Sequence, residues 1–183
     1  AIKTSMDSCL SEPNRGKDYL KEIVNVANDL NKHVEYVTPS GFKVVHYYNV
    51  VNTRRSVAKL FGNKELTFFI ASDDVNRRAA LQAIAPNFIH SLDAAHMFLT
   101  LDELLRKGVY NLSMIHDSYG CHANYVGTMR NILREKFVEI HSENQLENFK
   151  ACVQNQLGVV LPEVPDTGDL DVSKVLKSDY FFA

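Results

Sequence analysis

Cysteine is scarce and irregularly spaced in this 183-residue chain. Cys9, Cys121 and Cys152 are odd in number and share no metal-ligand spacing. That pattern excludes a disulfide scaffold and a zinc ribbon, and three such thiols are expected free in a reducing compartment. No apolar run approaches the ~20 residues of a membrane span, and no secretory signal is visible, so a soluble, intracellular protein is expected. Internal repeats, low-complexity tracts and interdomain linkers are also lacking, and residues 1–183 read as one compact unit. A phosphate-binding Gly-rich loop is missing. Ser118, in Asp117-Ser118-Tyr119-Gly120, lacks the Gly-x-Ser-x-Gly elbow of a hydrolase.

Charge of one sign is not in excess either. Lys and Arg number 20 against 22 Asp and Glu, a net charge of -2 that advertises no polyanion partner. The distribution is uneven, however. Arg54, Arg55, Lys59, Lys64, Arg77 and Arg78 cluster in the middle of the chain, whereas acidic residues dominate from Glu143 onward. A nucleic acid, if bound, is expected on the middle face; solvated surface is the plain alternative.

The 45% apolar content suffices for a sizeable core, and its spacing predicts the elements. Leu20, Ile23, Val24, Ala27 and Leu30 predict a helix over 17–32. After the turn Thr38-Pro39-Ser40-Gly41, residues 42–51 and 66–71 read as strands of a small antiparallel ribbon. Ser72 is expected to cap a helix over 75–84 that Pro86 interrupts, with a second helix from about residue 91 to Lys107, stopped by Gly108. Residues 124–140 and 146–157 form two further amphipathic patterns, and a last short helix is expected at 171–175. The terminal Tyr180-Phe181-Phe182 is expected to dock on the body. The fold class is therefore α/β (α+β), helix-rich, with short antiparallel strands.

Two stretches could carry chemistry. Leu112 to Ile115 reads as a short buried strand leading through His116-Asp117 into a tight turn at Gly120. That would hold the Asp117 carboxylate rigidly for a hard cation, or leave it as an Asx-turn cap on its own backbone. In Ala85-Pro86-Asn87-Phe88-Ile89-His90-Ser91-Leu92-Asp93-Ala94-Ala95-His96, the spacing of His90, Asp93 and His96 puts three potential metal ligands on one helix face.

Taken together, these blocks resemble the C-terminal part of the single-subunit DNA-directed RNA polymerases of bacteriophage and mitochondrial type. Residues 85–96 are similar to the segment beside the primer-template end, Met114-Ile115-His116-Asp117-Ser118-Tyr119-Gly120 to polymerase motif C, and Asp179-Tyr180-Phe181-Phe182-Ala183 to an aromatic C-terminus near the active centre. Weaker similarity through Thr38–Phe42 and Arg130–His141 extends over most of the chain.

The resemblance implies that Asp117 binds two Mg2+ ions together with an aspartate outside this chain, and that His116 positions it or contacts the RNA end. It implies that Asn87, His90 and Ser91 face nucleic acid, with Arg54 and Arg55 as weaker candidates, and that Phe182 and Ala183 lie close to the active centre. Ser118, where related DNA polymerases usually carry Glu, favours RNA synthesis.

The motif supplying the other aspartate and the nucleotide-selecting fingers helix are absent. The expectation is therefore a portion of a larger polymerase, cut from it or paired with a second subunit, working on a DNA template, nascent RNA and NTPs. The missing parts should leave a broad apolar surface. The resemblance suggests the cytoplasm of an infected bacterium, with a mitochondrial origin left open. Against this stand the palm of a related DNA polymerase, a non-catalytic nucleic-acid-binding or assembly subunit, and a small metalloprotein using His90, Asp93 and His96.

Overall fold

The computed structural model describes residues 11–59, 62–115 and 117–182. The first helix, α1 (Ser11–Asp29), carries Pro13 in its opening turn, where no backbone N–H is required. Leu20, Ile23, Val24 and Ala27 are buried along one stripe, as their spacing predicts, while Leu30 is largely exposed. The helix ends through Asn31 in the left-handed region (φ 50°), with Lys32 N–H donating to the Ala27 carbonyl at 2.9 Å.

Two strands follow, β1 (Val34–Val37) and β2 (Lys43–His46), paired antiparallel with Val34 opposite His46. The Thr38–Gly41 turn thus folds the chain back onto residues 34–37. This corrects the expectation of one strand over 42–51. Val34 and Tyr36 alternate into the core and recruit Lys43–His46 as their partner. A separate ribbon is built from β3 (Asn49–Ala58) and β4 (Lys64–Val75), joined near Gly62 and Asn63, both at positive φ. A register shift between Asn49 and Val51 marks its base.

Ser72 lies inside β4 rather than at a helix start. The cap is Asn76, whose side chain accepts from Ala79 N–H at 3.1 Å. From it runs α2 (Arg77–Arg106), a single 30-residue helix through Pro86 where the sequence predicts two. Proline removes one i→i−4 hydrogen bond, a cost of roughly 3 kcal/mol in a helix interior. Here Ile84, Phe88, Leu92 and Ala95 continue one buried stripe across the break, and that packing outweighs the local preference. Gly108, at φ 80°, does stand at the expected stop.

The strands β5 (Leu112–Ile115) and β6 (Ser118–Cys121) form a hairpin. A 3-10 turn at Ala123–Tyr125 leads into α3 (Val126–His141), and α4 (Gln145–Leu157) follows, capped by Asn144 and ended by Gly158 at φ 72°. A second 3-10 turn, Val172–Lys177, is capped by Asp171.

Two apolar clusters organise these elements. The larger joins α1, β1, the first half of α2 and α4 around Ile23, Val34, Ile84, Phe88, Phe149 and Val153. The smaller gathers Leu104, Val109, Met129, Ile132 and Leu133, with Leu112, Met114, Tyr119, Cys121 and Phe182 packed against it. The helix α2 contributes to both, which ties the hairpin to the body. The chain is helix-rich with short antiparallel pairs, as expected.

Candidate active site

The hairpin is set by period-2 alternation. Leu112 and Met114 turn into the smaller cluster, whereas Ser113 and Ile115 turn outward, with Ile115 66% exposed. The strand is therefore half-buried rather than buried, a correction to the reading of its apolar run. Ile115 pairs with Ser118 and Met114 with Tyr119, which puts Asp117 at the hairpin apex. Gly120 belongs to β6, not to the turn; a Cβ there would meet only ordinary contacts with Ser113.

Asp117 is exposed and, among the described residues, its carboxylate accepts no hydrogen bond and forms no ion pair. The Asx-turn alternative is not realised. Asp117 lines a cavity of about 710 Å³ together with Ser118, Tyr119, Arg130, Asp179 and Phe182.

Beneath the apex the side chains form an aromatic stack. The Tyr119 and Phe182 rings meet edge to face at 5.8 Å, and both lie against buried His96, at 6.2 and 5.5 Å. Phe181 bridges Phe182 (4.7 Å) and Phe137 (4.8 Å). Burial pushes the Tyr119 hydroxyl pKa up, assisted by the negative charges of Asp93 and Asp117. His96 Nε2 donates to the Leu133 carbonyl at 2.8 Å; burial holds its pKa below 6.5 against the opposing effects of that bond and of Asp93. Phe181 and Phe182 dock as expected from composition, but Tyr180 remains 88% exposed.

The family assignment follows from a match over the part of the chain that builds this hairpin. Residues 2–161 match the family described as DNA-dependent RNA polymerase. The chain belongs to that family. Its relatives include DNA-directed RNA polymerase 1, mitochondrial, of Arabidopsis thaliana, 37% identical over 172 residues, 91% of this chain and 17% of that protein. DNA-directed RNA polymerase 2, chloroplastic/mitochondrial, of the same plant is 38% identical over 162 residues, 88% of this chain and 16% of that protein. DNA-directed RNA polymerase 1A of Nicotiana tabacum is 37% identical over 153 residues, 83% of this chain and 96% of that sequence. The chain thus spans about a sixth of the length of the Arabidopsis relatives it matches.

Within this polymerase-family chain, the residues expected at the site are dispersed. Asp117 and Phe182 line the same cavity; His116 and Ala183 lie outside the described residues. Asn87 Nδ2 donates to the Tyr48 hydroxyl at 3.0 Å, and the Ser91 hydroxyl donates to the Phe88 carbonyl at 2.7 Å and lies 3.2 Å from the Tyr36 hydroxyl. Both are half-buried and hydrogen-bonded within the chain. His90, between them in sequence, is exposed. Arg54 and Arg55 are exposed on β3, and as strand neighbours they point to opposite faces.

The three potential ligands His90, Asp93 and His96 are not assembled into a metal site: His96 is buried with Nε2 on a carbonyl, and no metal-holding group of three occurs among the described residues. Sequence reasoning does not single out Tyr119, Arg130 and Arg134, whose contacts with residues 179–182 appear only in the fold. An Arg pair four apart on a helix gives no such signal by itself.

Proposed function

We propose that this chain is the portion of a template-directed RNA polymerase that carries one of its two catalytic aspartates. The observation that supports this most directly is Asp117, an exposed carboxylate without a partner among the described residues, at a hairpin apex beside a cavity, in a chain of the polymerase family. The reaction is nucleotidyl transfer from NTPs to the 3′ end of RNA on a DNA template.

The donor set fits magnesium, which favours one or two carboxylates plus substrate phosphates over an all-protein cage. Asp117 would hold the two ions together with a carboxylate from outside these 183 residues. When bound, they would activate the 3′-hydroxyl and neutralise charge as pyrophosphate leaves. The chain's own contribution is to fix where the Asp117 carboxylate stands. The β5–β6 pairing holds the apex, and the Tyr119–Phe182–His96 stack supports the strand from below. His116, next to this carboxylate in sequence, is assigned to position it or to meet the RNA end, and Ala183 is assigned to the surroundings of the active centre.

Nucleic-acid contact is assigned to exposed His90 and to Arg54 and Arg55. Asn87 and Ser91 would serve that surface indirectly, by holding the backbone around His90. Large exposed apolar side chains, among them Ile89, Phe98, Tyr110 and Ile115, are consistent with packing against the remainder of a polymerase, in the same chain or a second subunit. The names of the relatives support an intracellular, organelle-type setting rather than the cytoplasm of an infected bacterium.

The test is Asp117→Asn in the full-length protein that carries this chain. RNA elongation should be abolished while template binding persists. Near-normal elongation by that variant refutes the assignment.

A further inference from the structure

Arg134 is a charged side chain in an apolar place. It lies on α3, 7% exposed, between Leu133 in the smaller cluster and the docked tail. A buried guanidinium is retained only where its donors are used. Here Nε and Nη2 both donate to one backbone carbonyl, that of Phe181, at 3.2 and 2.9 Å. Four residues earlier on α3, Arg130 Nη2 donates to the Asp179 carbonyl at 2.7 Å.

The next tail residue, Phe182, is in the left-handed region at φ 52°, where side chains bearing a Cβ are disfavoured. Such a conformation persists only where its surroundings over-determine it. The strain turns the Phe182 ring under the hairpin, against Tyr119 and His96, and Tyr119 stands two residues from Asp117.

We infer that Arg134 is a positioning residue for the Asp117 carboxylate, acting through the C-terminal tail. Its two bonds to the Phe181 carbonyl hold the strained turn at Phe182, and the Phe182 ring braces Tyr119 and so fixes the height and tilt of the apex. The apex needs such a brace: the hairpin strands are only four residues each and pair only with each other among the described residues, and a two-stranded hairpin is marginal in isolation. The inference rests on the proposed polymerase function for its kinetic consequence, not for its structural one.

The test uses the full-length protein with Arg134→Gln, Arg134→Lys, deletion of residues 181–183, and each substitution combined with the deletion. Three quantities are measured: kcat and KM for NTPs, amide hydrogen exchange across residues 117–121, and the thermal midpoint. A displacement of about 1 Å can lower a rate about 10²-fold, so Arg134→Gln should reduce kcat by about 10- to 100-fold with KM unchanged. Exchange at Tyr119 and Gly120 should accelerate.

Lysine keeps the charge but not the forked donors, so Arg134→Lys should reproduce the kinetic loss while preserving the thermal midpoint. Each double variant should be no worse than the deletion alone, because both changes remove one path. Losses that multiply in the double variants overturn the inference, as does unchanged exchange at 117–121 in Arg134→Lys. If the unaltered protein makes no RNA, the polymerase reading falls and the exchange comparison still decides whether Arg134 braces the apex.

Discussion

Asn87 on α2 and His46 at the end of β2 share one hydrogen-bond network. His46 Nε2 donates to the Ala80 carbonyl at 2.9 Å, which leaves Nδ1 as the acceptor facing Asn87 Nδ2 at 3.4 Å. Asn87 also donates to the Tyr48 hydroxyl, and Tyr48 lies against the His46 ring at 4.8 Å. The residue thus clamps the base of the β3–β4 ribbon to the helix that bears His90.

Replacing Asn87 by Ala should therefore cost stability, by about 1–3 kcal/mol, because partly buried partners lose their hydrogen bonds. Denaturant unfolding measures it. Unchanged stability accompanied by weaker nucleic-acid binding would instead make Asn87 a direct contact.

The three depressed histidines set a pH window. Burial lowers the pKa values of His46, His96 and His141 below 6.5. For His141 the further cause is the neighbouring positive charge of His96, and Asp93 opposes it. Each folded-state pKa lies below its unfolded value, so the unfolded chain binds more protons as pH falls through that interval. The stabilisation is fully present above about pH 6.5 and is lost below it. The thermal midpoint should fall between about pH 7.5 and about pH 5, and His96→Gln should flatten that dependence. A midpoint that rises on acidification contradicts the assignment.

The ribbon separates two arginines that sequence alone cannot rank. Arg54 stands opposite Phe68 on one face and Arg55 opposite Thr67 on the other, where Val57 pairs with Glu65. The acidic neighbour disfavours phosphate on the Arg55 face. Arg54→Gln should reduce the slope of log affinity against log salt by about 1 for a DNA template, and Arg55→Gln by less. Equal slopes for both variants and the unaltered protein would remove the ribbon from the nucleic-acid interface.

The start of α2 offers a local test. Asn76→Ala should destabilise the protein by about 0.5–2 kcal/mol, since Ala79 N–H loses its cap. Thermal unfolding checks this, and Ser72→Ala provides the contrast. Ser72 lies within β4, so a larger loss there than at Asn76 would return the cap to Ser72.

Elements specified by local pattern were legible in the chain itself. Along the predicted stripes Leu20, Ile23, Val24 and Ala27 are buried, as are Met129, Ile132, Leu133 and Ile140, because helical periodicity and burial have one cause. Val126, expected on the same side of its helix, is exposed, and Phe137 is half-buried. Asp117 stands out as a candidate in the sequence because its motif is continuous, and the structure puts it at the apex of a hairpin.

What local pattern could not decide was partner choice. Lys43–His46 had apolar neighbours on both sides and pairs with Val34–Val37, because the turn at 38–41 makes that the nearer strand. Pro86 reads as a helix end, and only the continuous burial of Ile84, Phe88 and Leu92 carries α2 through it. The bonds of Asn87 to Tyr48 and of Ser91 to Tyr36 cannot be read from the sequence, because their partners come from distant segments. Arg134 is one more helix arginine until the tail returns to put the Phe181 carbonyl within reach. Composition and periodicity fix which faces are apolar; which polar groups meet across them depends on chain segments far apart in sequence, and only the tertiary fold brings those together.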